Sequence, residues 1–538
     1  MTYEQAGGGY AGLSITTQEG DQLTLKDRLM HHYTSGLSTV EITAVNAARV
    51  IDEFEKYFRE NLTAPAAVYK SYVIKATNNP DKISKLTQWL DLHGIKYGHP
   101  QTARATRGYD YQTQTAGTVN VSPDDIVFNI YQAKSRFITT VFEPQSTLSD
   151  SLTYDITAWN LMYAYNLSGV ALTERINVAR PYQPLKVDNN NIANNPYAYL
   201  FNYQSPKDVE FLAALLKKKI KVRSSTQPFT VGGQSFEAGT LIVTKRNNES
   251  QPGFDTTVRS LANAMGRKIY TSTTGFVEKG RDFGSSEVRY IKAPSVAVLT
   301  GEQTYSLSAG EIWYYFEQQI HYPITQIGTD YFKTVNLKDY DVLVVPDGNY
   351  KMFDESTLDQ LSSWVSGGGN LIIIANGLSA FSDKKGFGLK AYSKDSEKTD
   401  AEKKEKDLKE KNMLLPYKDA ERRQVSDAIS GAIYKITLDN SHPLALGLKE
   451  SYYSLKTNEL RYGFLETGWN VGVVKGKARP IQGFAGARIN QKLDNSLTLG
   501  VEQKGKGNVI YLVDNPLFRC FWENGKMLFS NAVFMVGN

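Results

Sequence analysis

The chain has 538 residues, of which 41% are hydrophobic and 22% are charged. This length exceeds what one hydrophobic core normally supports, so one compact domain is excluded and three or four domains are expected. The net charge of +5 arises from 61 basic and 56 acidic residues, a balance too even to recruit nucleic acid or an anionic membrane. Cys520 is the only cysteine, which excludes an intrachain disulfide and a cysteine-rich zinc cluster.

No stretch of the sequence approaches 18 consecutive apolar residues, so no membrane span is predicted. The first residues, MTYEQAGGGYAG, contain neither a basic region nor an apolar core of the kind that export signals need. We therefore expect no signal peptide within this chain.

Residues 1–62 begin with a glycine-rich segment, Gly7–Gly9, which is expected to be a strand end followed by a flexible loop. Apolar residues then recur every three or four positions from Leu25 to Phe58, the period of an amphipathic helix. The pattern predicts two helices with a break near Ser35 and Gly36. One strand and two helices cannot close a core alone, so this region is expected to pack against further structure.

Two segments of similar pattern follow, at 63–150 and 151–293. Each contains a strand, a helix and a second strand, and each continues into a sequence rich in strand-forming residues. The expected elements are SYVIKA at 71–76, a helix over 81–92 with Gly94 as its cap, IKYGHP at 95–100, AYLFNY at 198–203, a helix over 206–219 and IKVRSS at 220–225. We interpret the segments as two small α/β modules, joined by a connection over 145–195.

Residues 294–538 show a regular alternation of strands and helices. Val342–Val345 and Leu371–Ile374 are apolar on both faces, as a parallel sheet covered by helices requires. The pattern predicts a doubly wound, flavodoxin-like α/β domain. A highly charged insertion at 394–411 has almost no apolar residue, so a solvated helix or a disordered segment is expected there.

The sequence carries few signals of catalysis. The chain has six histidines, none with a glutamate three residues later, so the H-x-x-E and H-E-x-x-H zinc motifs are absent. His31 and His32 are adjacent in a predicted helix, where their side chains diverge, so a structural role is favoured over a metal site. The serine hydrolase motif G-x-S-x-G is absent, and neither glycine-rich turn has the spacing of a dinucleotide site.

Residues 294–538 resemble class I glutamine amidotransferases in the segment GGGNLIIIANG at 367–377. In that family the nucleophilic cysteine follows the strand that this turn enters. Ala375 stands at that position, and its methyl group cannot attack a carbonyl carbon. The resemblance therefore implies an amidotransferase-like scaffold without its nucleophile. Cys520 lies far along the chain, and a buried inert thiol is the favoured interpretation.

The first residues, MTYEQAGGGYAGLSITTQEGDQLTLKDRLMHHYTSGLSTVE, resemble the end of the catalytic domain in bacterial zinc carboxypeptidases of the carboxypeptidase A superfamily. Glu4 matches the family's general base, which takes a proton from zinc-polarised water and delivers it to the leaving amine. The resemblance continues in FITTVFEPQSTLSDSLTYDITAWNLMYAYNLSGV at 137–170, and in VDNPLFRCFWENGKMLFSNAVF at 513–534.

This resemblance implies a carboxypeptidase that is secreted or periplasmic and releases C-terminal residues from peptide substrates with bound zinc. In the family, the zinc ligands and the arginines that bind the substrate carboxylate precede the general base. We therefore expect residues 1–62 to be the C-terminal remnant of the catalytic domain, and the chain alone to bind no zinc and to be inactive. The alternative hypothesis is a non-catalytic binding or scaffolding protein whose amidotransferase-like domain binds a partner, a glycan or a peptide.

Overall fold

The computed structural model describes residues 12–17, 19–146, 148, 150, 153, 155–189, 195–392 and 416–537. Glu4, Gly7–Gly9 and the charged insertion 394–411 lie outside the described residues. The chain is mixed α/β with several separate sheets, which confirms the predicted α/β class. It divides into two units: residues 1–68 with 130–137, and residues 69–129 with 138–538.

The first unit contains a short hairpin followed by two helices: β1 (Ser14–Thr16), β2 (Gln22–Thr24), α1 (Leu25–Val45) and α2 (Ala47–Thr63). Thr24 and Asp27 form a capping box at the start of α1, because each side chain accepts from the other's backbone N–H. Two helices were correctly predicted, but the predicted break near Ser35 and Gly36 is wrong. The helices separate at Asn46, since one glycine inside a helix costs only about 1 kcal/mol.

The two helices expose much of their apolar surface. None of the residues of α1 is buried, and Leu29, Tyr33, Leu37 and Val40 are each more than half exposed. In α2, Phe54 is 64% exposed. Large exposed apolar patches normally mark interaction surfaces.

The second unit begins with a five-stranded antiparallel sheet in the order β5-β4-β7-β3-β6. Its elements are β3 (Ser71–Ile74), α3 (Pro80–Leu92), β4 (Arg104–Asp110), β5 (Thr115–Val121), β6 (Ile126–Asn129), α4 (Ser135–Phe142), α5 (Leu161–Ala164) and β7 (Gly169–Leu172). The central strand β7 comes from the segment that the sequence pattern assigned to the next module. The strand predicted at 95–100 is wrong, because Gly98 and His99 form only isolated bridges there.

A second five-stranded antiparallel sheet follows, in the order β13-β8-β12-β9-β14. Its elements are β8 (Ala198–Phe201), α6 (Pro206–Lys217), β9 (Arg223–Ser225), β10 (Phe229–Val231), β11 (Gln234–Phe236), β12 (Leu241–Thr244), α7 (Phe254–Ala264), β13 (Tyr270–Ser272) and β14 (Val288–Tyr290). Strands β10 and β11 form a separate hairpin. Both five-stranded sheets thus open with a strand and an amphipathic helix, as the sequence predicted.

The largest sheet has ten strands, parallel in one half and antiparallel in the other. The parallel strands run in the order β16-β15-β17-β18-β24, and β23, β21, β19 and β20 extend them, with β22 paired to β19. The strands are β15 (Val296–Thr300), β16 (Thr325–Gly328), β17 (Val342–Val345), β18 (Asn370–Ile374), β19 (Ile429–Leu438), β20 (Ser451–Lys456), β21 (Trp469–Val474), β22 (Pro480–Ala485), β23 (Ser496–Lys504) and β24 (Gly507–Leu512). The helices are α8 (Ser306–Tyr314), α9 (Glu355–Ser366), α10 (Ala420–Val425), α11 (Ala487–Lys492) and α12 (Glu523–Phe534).

The segment 155–160 binds to the antiparallel half of this sheet. The hydroxyl of Thr157 donates to the backbone oxygen of Gly431 at 2.6 Å and accepts from the backbone N–H of Phe484 at 2.8 Å. Three residues on, the backbone N–H of Asn160 donates to Gln482 at 3.0 Å. The position of Gly431 requires glycine, because its φ is +115° and a Cβ there would lie 2.7 Å from the side chain of Ile156.

Two buried ionic contacts lie beside the ten-stranded sheet. Lys456 and Asp514 are both nearly inaccessible and approach to 3.0 Å, while Ser454 donates to the other oxygen of Asp514 at 2.7 Å. Lys526 pairs with Glu523 on α12. Because a buried charge is costly without a partner, these contacts fix where the segment after β24 lies. Among the described helices, none is sufficiently long and apolar to cross a membrane.

His442 is a buried histidine that caps a short turn. Its Nδ1 accepts from the backbone N–H of Leu444 at 3.1 Å, and its ring lies 5.5 Å from that of Trp469. Burial lowers the pKa of His442 to about 4, from an ordinary value of 6.5. The unfolded chain therefore takes up a proton here before the folded chain does. The stability contribution of this residue is present above pH 6.5 and is lost as the pH falls towards 4.

We predict that His442 removes about 2 kcal/mol from the free energy of unfolding between pH 7 and pH 5. His442→Asn keeps a capping acceptor but does not titrate, so its stability should fall less over that range. Urea unfolding at the two pH values measures the difference. Exposed His32 provides the control, because His32→Asn should retain the wild-type loss. An equal loss in wild type and His442→Asn would contradict the prediction.

Candidate functional site

The strongest candidate site lies at the carboxyl ends of the parallel strands of the ten-stranded sheet. Ligands in open α/β sheets usually bind at this edge, because the loops after successive strands converge there. A cleft of about 290 Å³ opens at this edge. Its lining residues are Tyr305, Ser306, Leu307, Ser308, Glu311, Asp347, Ala375, Thr457, Asn458, Asn515, Phe518 and Arg519.

A larger groove, of about 1310 Å³, lies at the opposite edge of the same strands. It is open and includes Asp341 and Gly367–Gly369, which precede β17 and β18. Gly367 and its neighbours follow helix α9 and lead into a strand, so the turn closes the helix. We place the candidate site at the carboxyl edge because the buried carboxylates and the left-handed backbone positions occur there.

Ala375 lines this cleft directly after strand β18. The residue is 1% exposed and has a φ of +50°, in the left-handed region that costs an ordinary residue about 1–2 kcal/mol. The next residue, Asn376, donates its backbone N–H to Asp347 at 3.1 Å. The predicted position of Ala375 at the end of this strand is confirmed, and the backbone is bent sharply where its side chain enters the cleft.

Asp347 holds two loops of the cleft together. Its carboxylate accepts from Asn376, and its own backbone N–H donates to the hydroxyl of Ser308 at 3.1 Å. Its backbone oxygen accepts from the N–H of Tyr305 at 2.9 Å. Burial raises the pKa of Asp347 above its ordinary value. Asp347 therefore connects its own loop after β17 to the loop after β15 through its backbone and to the loop after β18 through its carboxylate.

Glu311 organises the other wall of the cleft. The carboxylate is 7% exposed, and its oxygens accept from the side chain of Asn515 and from the backbone N–H of Arg519, both at 2.7 Å. Burial raises the pKa of Glu311. Arg519 and Cys520 have φ values of +47° and +60°, so two consecutive residues without glycine's freedom adopt left-handed geometry. Strain of this kind persists only where surrounding contacts impose it, and it concentrates at functional sites.

Aromatic side chains and an arginine form the rim. The rings of Trp159 and Phe521 stack, with centroids 6.1 Å apart and an angle of 26°. The guanidinium of Arg519 lies 5.6 Å from the ring of Trp159 and 5.2 Å from that of Phe518. Tyr305 adds a further ring that is 58% exposed. The rim can thus bind an anionic group beside a flat or apolar one.

The rim joins two segments that are distant in sequence. Trp159 belongs to the Tyr-Asp-Ile-Thr-Ala-Trp phrase at 154–159, whereas Arg519 and Phe521 belong to the segment 513–534. Both segments were singled out in the sequence for the same family resemblance. Their contact gives them a common location at one edge of the cleft.

Glu4, the predicted general base, is outside the described residues. His31 and His32 are exposed on α1, and His99 and His442 contact backbone groups. Within the part of the chain that the structure describes, no group of three or more histidine, cysteine or acidic side chains is arranged to hold a metal.

Glu311, Asp347 and Arg519 were not predicted from the sequence as residues of a functional site. Asp347 could have been found, because it follows the buried strand Val342–Val345 directly and so belongs to the carboxyl edge. Glu311 gave no such signal, since its partner Asn515 lies 204 residues further along the chain.

Comparisons with known proteins give no functional assignment. No model of a known protein family matches the chain, and no curated protein is similar to it in sequence. Among solved structures, a β-galactosidase from Bacillus circulans sp. alkalophilus aligns with 14% identity and a TM-score of 0.26, over 45% of this chain and 30% of that one. A putative ThuA-like protein from Parabacteroides merdae aligns with 10% identity and a TM-score of 0.27, over 44% and 90% of the respective chains.

An exo-β-1,4-mannosidase from an Opitutaceae bacterium aligns with 11% identity and a TM-score of 0.25, over 45% of this chain and 36% of that one. The chain thus spans only about a third of the length of each of the two glycosidases. At this similarity, neither the fold nor an activity is inferred from these proteins.

We predict that Glu311→Gln loosens the turn 517–520. The glutamine side chain has one acceptor oxygen and one NH₂ group in place of the two carboxylate oxygens. The NH₂ group cannot accept from Asn515 or from the backbone N–H of Arg519, so one of the two charge-assisted hydrogen bonds is lost. Because Cys520 is the only cysteine, its reaction with a thiol reagent reports opening of the turn, and its rate should rise about tenfold. Glu302→Gln, at an exposed position near the cleft, should leave the rate unchanged. Equal rates in both variants would show that Glu311 does not hold the turn.

Proposed function

We propose that the chain belongs to a zinc carboxypeptidase-type protein that removes C-terminal residues from peptides. The observation that carries this proposal is the resemblance that runs from Thr2 to Glu41 and includes Glu4. The resemblance of 137–170 and 513–534 to the same proteins supports it, and these two segments contact each other through Trp159 and Phe521.

The geometry of the first unit supports this proposal. Helices α1 and α2 leave an apolar face exposed that includes Leu29, Leu37 and Phe54. A face of this size requires a partner, and the body of a carboxypeptidase catalytic domain is the partner that the resemblance implies. In that setting these helices would form its outer layer.

Glu4 is the residue of this chain proposed to take part in hydrolysis. Its carboxylate would accept a proton from the attacking water and pass it to the leaving amine. Zinc, when bound by the complete family member, polarises that water and the substrate carbonyl. The described residues of this chain would supply binding and support.

We predict that Glu4→Gln lowers the turnover of the natural full-length protein at least 100-fold, because general base catalysis contributes about 10²–10⁴. Release of the C-terminal residue from a peptide with a free carboxylate measures activity, before and after zinc removal with a chelator. Glu19→Gln provides the control, since Glu19 is exposed and lies close to Glu4 in the sequence, and this substitution should leave turnover unchanged. Activity that survives Glu4→Gln, or that persists without zinc, would contradict the proposal.

A second candidate function is supported by the cleft: residues 294–538 act as an amidotransferase-like, flavodoxin-like domain that binds without catalysis. The parallel order β16-β15-β17-β18-β24 and the bent backbone at Ala375 favour this assignment. Both buried carboxylates are engaged in hydrogen bonds to the loops, and alanine stands where the family has its nucleophile. We infer that the ligand is a peptide, because Arg519 and the stacked rings suit a carboxylate beside an apolar side chain.

We predict that Arg519→Gln and Trp159→Leu each weaken the binding of a fluorescent peptide with a free C-terminal carboxylate about tenfold, through loss of a charged contact or of ring stacking. Fluorescence anisotropy measures the affinity. Trp313→Leu is the matched control, because Trp313 is 44% exposed on α8 and, unlike Trp159, is not in contact with Arg519 or Phe521. Binding of oligosaccharides but not of peptides would overturn the choice of ligand.

A further inference from the structure

A second cavity lies at the junction of the two small sheets and the ten-stranded sheet. Its volume is about 170 Å³. Helix α3 contributes Lys82 and Lys85, α6 contributes Lys207 and Glu210, and α12 contributes Glu523. Residues from three distant parts of the chain therefore surround one enclosed space.

The acidic side chains in its wall already have basic partners. The carboxylate of Asp81 receives two hydrogen bonds from Arg267, at 2.6 and 2.7 Å. Glu210 accepts from Lys207 at 2.8 Å, and Glu523 pairs with Lys526. Each of these acids therefore already has a basic partner, although Arg267 is shared between Asp81 and Asp208.

Lys82 and Lys85 remain without such a partner. Within the described residues neither side chain makes a hydrogen bond or an ion pair, although Lys82 is half-buried. Lys82 is repelled by Lys449, and Lys85 repels Lys526. Lys82 and Lys85 thus each face a further ammonium group, and Glu523 is the carboxylate that attracts Lys82.

The repulsion between these ammonium groups is most costly at Lys82, which is half-buried, whereas Lys85 is exposed. Burial, together with the repulsion from Lys449, lowers the pKa of Lys82 to about 8. An anion in the cavity would supply the missing negative charge, and lysine ammonium groups bind phosphate groups as point charges. Gln318 and Gln319 line the same space and can donate amide hydrogens to such an anion.

We propose that this cavity is a binding site for a phosphate group, held by Lys82 and Lys85. The phosphate group belongs to a free phosphate ion or to a small phosphomonoester, since both carry the same tetrahedral dianion. Its occupation neutralises the two ammonium groups of α3, so it stabilises the folded chain.

Calorimetric titration of the chain with inorganic phosphate, at matched ionic strength in chloride, tests this proposal. We expect one site per chain, with affinity weakened at least tenfold in Lys82→Met and in Lys85→Met. Lys218→Met is the matched control, because Lys218 is exposed at the end of α6 and does not line the cavity. It should bind as the wild type does.

Lys82→Arg keeps the positive charge and should retain binding within a few-fold, which separates loss of charge from loss of fold. Thermal unfolding of each variant without phosphate checks that it remains folded. Phosphoserine in place of phosphate identifies the source: tighter binding assigns a phosphomonoester, and weaker binding assigns the free ion. No binding of either, or equal binding by wild type and both methionine variants, overturns the proposal.

Discussion

The hydrogen bonds of Thr157 are the contact on which the arrangement of the second unit most depends. One hydroxyl donates to β19 and accepts from the end of β22, at a place where Gly431 leaves no room for a side chain. Because a buried hydroxyl needs its partners, this contact fixes the register between segment 155–160 and the sheet. It also fixes Trp159 two residues later, and with it the rim of the cleft.

The cleft combines a strained backbone with fully engaged carboxylates. Glu311 and Asp347 each accept from backbone N–H groups of loops that follow parallel strands, and these bonds offset the cost of left-handed geometry at Ala375 and Arg519. Enzymes use such geometry to present a nucleophile, but the methyl group of Ala375 cannot act as one. A binding role requires only that the rim stays in place, and the same bonds provide that.

The regular part of the fold could be predicted because its signals are local. The ends of helix α9 carry such signals, because Asp354 caps its first turn and glycine follows its last residue. Strands β17 and β18 could be predicted because each is a run of apolar residues, and both runs are buried in the structure. The helix break at Asn46 was missed, since Gly36 is the stronger breaker by propensity but α1 continues through it. The site was largely missed because Glu311 depends on Asn515, and no local pattern relates them.

The strand order of the ten-stranded sheet has a consequence for how the chain folds. Strand β24 lies between β18 and β23, and its side chain Asn508 bonds to Asn370, 138 residues earlier. The middle of the sheet is therefore open until β24 has left the ribosome. Closing such distant pairings costs loop entropy before any contact is gained, so this domain should fold slowly. During that interval the uncovered edge of β18 is the segment most exposed to aggregation.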